Sequence, residues 1–187
     1  MPKHRHQIYR EQIIPQPIDT VFAFFADARN LELITPPFLH FRIRSPRPIE
    51  IRPGARIDYQ LRLFGVPIRW QTIIEELDPG LRFVDSQANG PYKLWRHLHT
   101  FREVPAGTLM ADSVEYEIGW SFVGEIAGTL FVQWTLKRIF DYRREKVAEL
   151  LGVGLEAELP GTGGLPRPVS ELQSVLPSER SNAAHAK

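Results

Sequence analysis

Two histidines, His97 and His99, stand two residues apart between Trp95 and Phe101 in the stretch YKLWRHLHTF. Imidazole titrates near neutrality and is also a common metal ligand, so this spacing opens three chemistries. With a third donor such as Asp85 or Asp112 the pair could hold zinc or iron. H-x-H alone is a weak metal signal, however, and the expectation is no metal. With Asp112 as the orienting carboxylate, His97 or His99 could act as general acid and base. Packed on Trp95 and Phe101, the rings could instead line a cavity and orient the polar end of an apolar ligand. We favour the third reading and keep His97, His99 and Asp112 as the catalytic candidates of the second.

Any of these roles needs a strand. Side chains alternate along extended backbone, so Trp95, His97, His99 and Phe101 share one face. On the preceding strand Phe83, Asp85 and Gln87 share a face, and a hairpin through ANGPYK brings them beside the histidines. On the following strand Met110, Asp112, Val114 and Tyr116 share a face, and a turn at Ala106-Gly107 sets Asp112 near His99 or Phe101. His4 and His6 repeat the spacing beside Lys3, Arg5 and Arg10, which mark a solvated end. His40 and His185 have no chemical neighbours to single them out.

The remaining elements follow from periodicity. Residues 4–14 read as a first strand ended by Pro15 and Pro17. Asp19 is placed to cap a short apolar helix carrying Val21, Phe22, Phe24 and Phe25 to about Ala28, and Asn30 to cap a second short turn before Thr35-Pro36-Pro37. From residue 39 to 118 the pattern has period two, broken by turns, which predicts LHFRIRS, ARIDYQLRLF, PIRWQTIIEEL, LRFVDSQ, YKLWRHLHTFRE and TLMADSVEYEI as six antiparallel strands. With the first, the strands number seven. After Ser121 the period becomes 3.6, through Phe122, Ile126, Leu130, Phe131, Trp134, Ile139, Phe140 and Val147, which predicts one helix of about thirty residues. A long helix beside one antiparallel sheet makes the class α+β. Residues 1–151 form the expected domain, and the Gly-, Pro-, Ser- and Ala-rich stretch 152–187 is an expected disordered tail.

Composition narrows the function. Lys and Arg total 23 against 22 Asp and Glu, a net charge of +1, so no global attraction draws the chain to nucleic acid or an anionic membrane. With no cysteine there are no disulfides, thiolate metal sites or cysteine nucleophiles. No secretory h-region and no apolar run of ~18 residues occurs, so the expectation is a cytoplasmic protein without an integral membrane segment. The crowd of Arg42, Arg44, Arg47, Arg52 and Arg56 reads as a solvated edge, with a docking surface as its alternative. Dinucleotide, P-loop, nucleophile-elbow and H-E-x-x-H motifs are missing, and no cofactor is expected.

FADARNLELITPPFLHFRI, RFVDSQANGPYKLWRHLHTF, DSVEYEI and IFDYR together resemble the ligand-binding branch of the SRPBCC (START-like) superfamily, some of whose members are labelled cell-division inhibitors. The resemblance covers about residues 4–148. It implies a helix-grip fold: a seven-stranded antiparallel sheet curved around a long C-terminal helix, two short helices after strand one, and a cavity between. Asp85, Gln87, Gly90, Pro91, Trp95, His97, His99 and Phe101 match the recognisable signature of that branch. Where relatives tend to carry a proline after the last strand, this chain has Gly119-Trp120. On such a fold, alternation puts Tyr59, Leu61, Leu63, Ile68, Trp70, Thr72 and Ile74 on the concave face, with Phe122, Ile126 and Leu130 closing it from the helix. The expected function is non-catalytic binding or transport of a small hydrophobic molecule, gripped at its polar end by Asp85, His97, His99 and Tyr116. The alternative is an enzyme of the polyketide cyclase or dehydratase type using a His-Asp pair.

Overall fold

The computed structural model describes residues 5–46, 48–63, 65–119 and 125–152, with 125–129 as backbone only, and these residues form seven strands and two α-helices. The strands are β1 (His6–Ile14), β2 (Arg42–Ile43), β3 (Arg56–Leu63), β4 (Val66–Asp78), β5 (Arg82–Asn89), β6 (Tyr92–Val104) and β7 (Gly107–Ile118). They form one antiparallel sheet in the order β1-β7-β6-β5-β4-β3-β2. β1 and β2, neighbours in sequence, thus lie on opposite edges. The segment between them crosses the sheet as α1 (Ile18–Phe25) and two 3-10 turns, Ala28–Glu32 and Pro37–Leu39. The long helix α2 (Glu125–Leu150) completes a helix-grip arrangement.

Local chemistry explains most boundaries. α1 starts on Pro17, whose side chain caps nothing, and Asp19 sits inside the first turn rather than at the cap. The helix stops at Phe25, short of Ala28. Asp27 then takes an extended conformation and its carboxylate accepts from Arg29 N–H, so Asp27 caps the following turn and Asn30 does not. Asn30 instead donates from Nδ2 to the Phe24 carbonyl at 2.8 Å, tying that turn back to α1. Of LHFRIRS only Arg42 and Ile43 remain extended in the ladder. His40 is left-handed at φ 44°, which ends the turn after Pro37, and the prolines beyond cannot donate to an edge.

Two register shifts in β4, at Gln71/Thr72 and Ile74/Glu76, and one in β6, at Tyr92/Leu94, bend the sheet. Three apolar clusters pack on the bent face. Ile14, Val21, Phe83, Phe101, Met110 and Val147 gather beneath α1. Val114, Tyr116, Leu136 and Phe140 join β7 to α2. Ala28, Ile57 and Tyr59 join the α1–β2 crossing to β3.

The phase of α2 differs from the expected one. Leu130 is 62% exposed and Trp134 51%, whereas Leu136, Phe140 and Val147 are buried. At 100° per residue Trp134 lies about 160° from Leu136, so the two cannot face one sheet. Trp134 and Phe38 sandwich the Arg138 guanidinium instead, at 4.7 and 5.0 Å. Phe122, the Ile126 side chain and the expected tail beyond Gly152 fall outside the described residues.

Gly107 opens β7 at φ 124°, where a Cβ would run into the Ile14 carbonyl and the Pro15 Cα. Gly107→Ala is therefore expected to cost about 2–3 kcal/mol in urea unfolding. Gly80→Ala, at φ 76° with open space around it, should cost about 1 kcal/mol.

Candidate functional site

Between the bent sheet and α2 lies a cavity of about 250 Å3. Alternation along β3 and β4 aims Ile57, Tyr59, Leu61 and Leu63, and then Ile68, Trp70, Thr72 and Ile74, into it. α1 contributes Phe24 and Phe25, and α2 contributes Leu136, Ile139, Phe140 and Arg143. Trp70 sets its indole edge-on to Trp95 at 5.3 Å and donates to the Thr72 hydroxyl at 3.0 Å, so the hydroxyl on that wall has a partner. These walls are mainly aliphatic and aromatic.

Asp85, His97, His99 and Arg143 form one cluster on the wall. Strand register pairs Asp85 with His97 and Phe83 with His99 across β5 and β6, and His99 with Asp112 across β6 and β7. His97 Nε2 lies 2.9 Å from Asp112 Oδ1 and His99 Nε2 lies 3.0 Å from Asp85 Oδ2. The other nitrogens close the ring of contacts. His99 Nδ1 is 2.7 Å from the same Asp112 oxygen, at an angle oblique for a hydrogen bond, and His97 Nδ1 is 3.8 Å from Asp85 Oδ2. The imidazole centres are 3.8 Å apart with their planes tilted by 36°, and Phe83 is stacked on His99 at 4.1 Å. Arg143 approaches from α2, its Nε 3.8 Å from Asp112 Oδ2 and its guanidinium 5.3 Å from the Phe25 ring.

Burial favours the neutral form of every group here, and the neighbours decide which groups resist it. Against burial, the His99 hydrogen bond and the charges of His97, His99 and Arg143 hold the Asp85 carboxyl below its usual range. Arg143 first, then His97, hold Asp112 well below it despite burial. Burial and the neighbouring His99 push His97 down. His99 is raised, because Asp112 and Asp85 on either side outweigh its burial. Burial, and then the charge of Asp85, push the Tyr59 hydroxyl up, which keeps it a neutral donor.

Of the residues singled out in the sequence, Tyr59, Trp70, Asp85, Trp95, His97 and His99 face the cavity. Several others do not reach it. Phe101 is taken up by α1, edge-on to Phe22 at 5.2 Å. Tyr116 is buried between β7 and α2, beside Leu136 and Phe140. Gln87 is spent on the β5–β6 turn, where it donates to the Tyr92 carbonyl at 2.6 Å and accepts from Tyr92 N–H. Asp112 stands behind the histidines, holding them from the far side. Leu130 points to solvent. Sequence reasoning passed over Arg143, whose signal was its phase: it lies four residues after Ile139 and four before Val147, on the inward stripe of α2.

A family model described as polyketide cyclase / dehydrase and lipid transport matches residues 14–139. Among solved structures the chain is similar to the Zhui aromatase/cyclase from Streptomyces sp. R1128, at 14% identity and a TM-score of 0.66, over 82% of this chain and 98% of that one. It is also similar to protein CV1439 from Chromobacterium violaceum, at 15% identity and a TM-score of 0.60, over 78% of this chain and 96% of that one. A third similar structure is TTHA0849 from Thermus thermophilus, at 20% identity and a TM-score of 0.55, over 78% of this chain and 99% of that one. At these identities the likeness is one of fold. No curated protein matches in sequence.

Proposed function

Since the chain belongs to the polyketide cyclase / dehydrase and lipid transport family, within the SRPBCC superfamily, we propose that it holds a small, largely apolar molecule in this cavity as a carrier or sensor, without turnover. The observation that carries this reading is a cavity whose walls along β3, β4 and α2 are mainly apolar, with Asp85, His97, His99 and Arg143 clustered on its wall. The body of the ligand packs on Tyr59, Trp70, Ile74 and Ile139. Its polar end meets Asp85, His97, His99 and Arg143. The Arg143 Nε is buried and has no hydrogen-bond partner among the described residues, which suits an acidic or strongly accepting oxygen on the ligand. Tyr116, buried elsewhere, has no part in the grip. No helix among the described residues is long and apolar enough to cross a membrane, so the ligand is met by a chain without a spanning helix in that part.

Native mass spectrometry of protein purified from its own host tests this directly. A retained organic mass that disappears on denaturation is the expected result. A bare polypeptide, together with no thermal shift from any of a panel of amphipathic compounds, would remove the reading.

One observation favours a second reading. His97 with Asp112 and His99 with Asp85 are buried imidazole–carboxylate pairs on the cavity wall, suited to proton transfer in a cyclase or dehydratase reaction. That reading requires turnover with a bell-shaped pH dependence that is lost in His97→Ala and in His99→Ala.

A further inference from the structure

The H-x-H spacing becomes more specific once the ring nitrogens are assigned. His97 Nε2 lies 2.9 Å from Asp112 Oδ1, which places a proton on that nitrogen and leaves the His97 Nδ1 lone pair on the opposite side, 3.8 Å from Asp85 Oδ2. His99 Nε2 is 3.0 Å from the same Asp85 oxygen, a contact bridged by a proton or by a cation in its place. Two ring nitrogens and a carboxylate oxygen therefore converge. One ligand atom from each of Asp85, His97 and His99 lies within 4.8 Å of the other two, and all three residues line the cavity.

A proton on His99 Nε2 satisfies its contact with Asp85, and a metal ion in its place would also engage His97 Nδ1. The charges agree: Asp85 and Asp112 are two carboxylates, and the Arg143 guanidinium, its Nε 3.8 Å from Asp112 Oδ2, is the arginine that acts on both. We infer that Asp85, His97 and His99 form a binding site for a divalent transition-metal ion of the zinc or ferrous class, with the remaining coordination positions open to the cavity. Two imidazoles and one carboxylate suit those ions and are a poor set for calcium or magnesium, which prefer oxygen donors. Asp112 supplies what a histidine-bound metal ordinarily has behind it, a carboxylate on the far nitrogen that fixes the tautomer of His97, with His99 Nδ1 2.7 Å from the same oxygen. The strand geometry contributes as well, because residues two apart on β6 present their side chains to the same face.

This site goes beyond the hydrophobic-ligand reading and does not depend on it. Metal binding is measured without any organic ligand, so either can fail while the other stands. The full chain, stripped with a chelator and dialysed, is titrated with Co2+ and separately with Zn2+. The expected result is one equivalent retained per chain, with visible ligand-field bands for Co2+ and paramagnetic broadening of the His97 and His99 ring resonances but not of His40. Asp85→Asn and His97→Gln should each abolish retention, and Asp112→Asn should weaken it about 10–100-fold. The doubly substituted His4→Gln/His6→Gln chain, which removes the other H-x-H pair, should bind unchanged. The inference is overturned if the stripped protein retains no metal. It is also overturned if retention is lost only in the His4/His6 variant, or if Co2+ leaves both buried rings sharp. The ring resonances are read in the unsubstituted protein, so a variant that fails to fold does not leave the question open.

Discussion

Asp112→Ala is expected to lower the free energy of unfolding by about 3–5 kcal/mol, the loss that follows when one partner leaves a buried charged network. Asp112 is only 5% exposed and serves three groups at once: His97 Nε2, His99 Nδ1 and the Arg143 guanidinium. Without it, the buried His97 Nε2–H loses its acceptor, and an unsatisfied donor costs about 1–3 kcal/mol. The Arg143 guanidinium also loses the nearest carboxylate on its side of the cluster. Asp112→Asn keeps the shape and one acceptor oxygen and should cost about 1–3 kcal/mol. Asp141→Ala serves as the comparison, since its pairing with Lys137 joins side chains 40% and 66% exposed and should be worth less than about 1 kcal/mol. Urea unfolding reads all three as changes in midpoint at constant slope. If Asp112→Ala falls in the range of Asp141→Ala, the cluster is hydrated and its charges are not buried as the geometry has them.

The sheet could be read from the sequence wherever one face is buried. In β5, β6 and β7 a slip of one residue would have turned Asp85, His97, His99 and Asp112 away from one another, so their meeting was legible before any coordinates. β2 was not legible at its true length, because local turn chemistry at His40 and the prolines after Ser45 outweigh the alternation of LHFRIRS. α2 was legible as a helix but not in phase. Its first turns carry apolar residues on more than one side, and Leu130, Phe131 and Trp134 compete with Leu136 and Ile139 for the inward stripe. Arg143 illustrates the same limit from the other direction, as a basic residue on an apolar stripe that is recognised only once the stripe is placed.

Which side chains the cavity would use was legible only in part. Phe101 and Tyr116 satisfy the alternation rule as well as His97 does. They differ in what covers them: α1 fills the concavity over one end of β6, and α2 seals the end of β7. Alternation assigns a face, and the helices decide which stretch of that face stays open.

Filling that open stretch should separate a binding cavity from a packing defect. In the unsubstituted protein, a compound with an aromatic body and one acidic group, such as anilinonaphthalenesulfonate, at ~100 times its Kd should add about 2.7 kcal/mol of stability. For a domain of this size that is a rise in Tm of about 5–10 °C. Leu61 lines the cavity from β3, so the indole of Leu61→Trp is directed into the empty volume. The substituted protein without ligand should be more stable by about 1 kcal/mol, at ~24 cal/mol per Å3 of cavity filled. Its ligand-induced rise should fall below about 2 °C. Val66→Trp, at a position 55% exposed in the same hairpin, should leave both quantities near their starting values. The two readouts constrain each other. A solidly packed interior would make Leu61→Trp destabilising by about 1–3 kcal/mol through overpacking. A cavity that is open but unused would give the stabilisation while leaving the ligand shift intact, placing the apolar compound elsewhere on the molecule. Only a cavity that is both empty and the place where the ligand sits raises the first quantity while lowering the second.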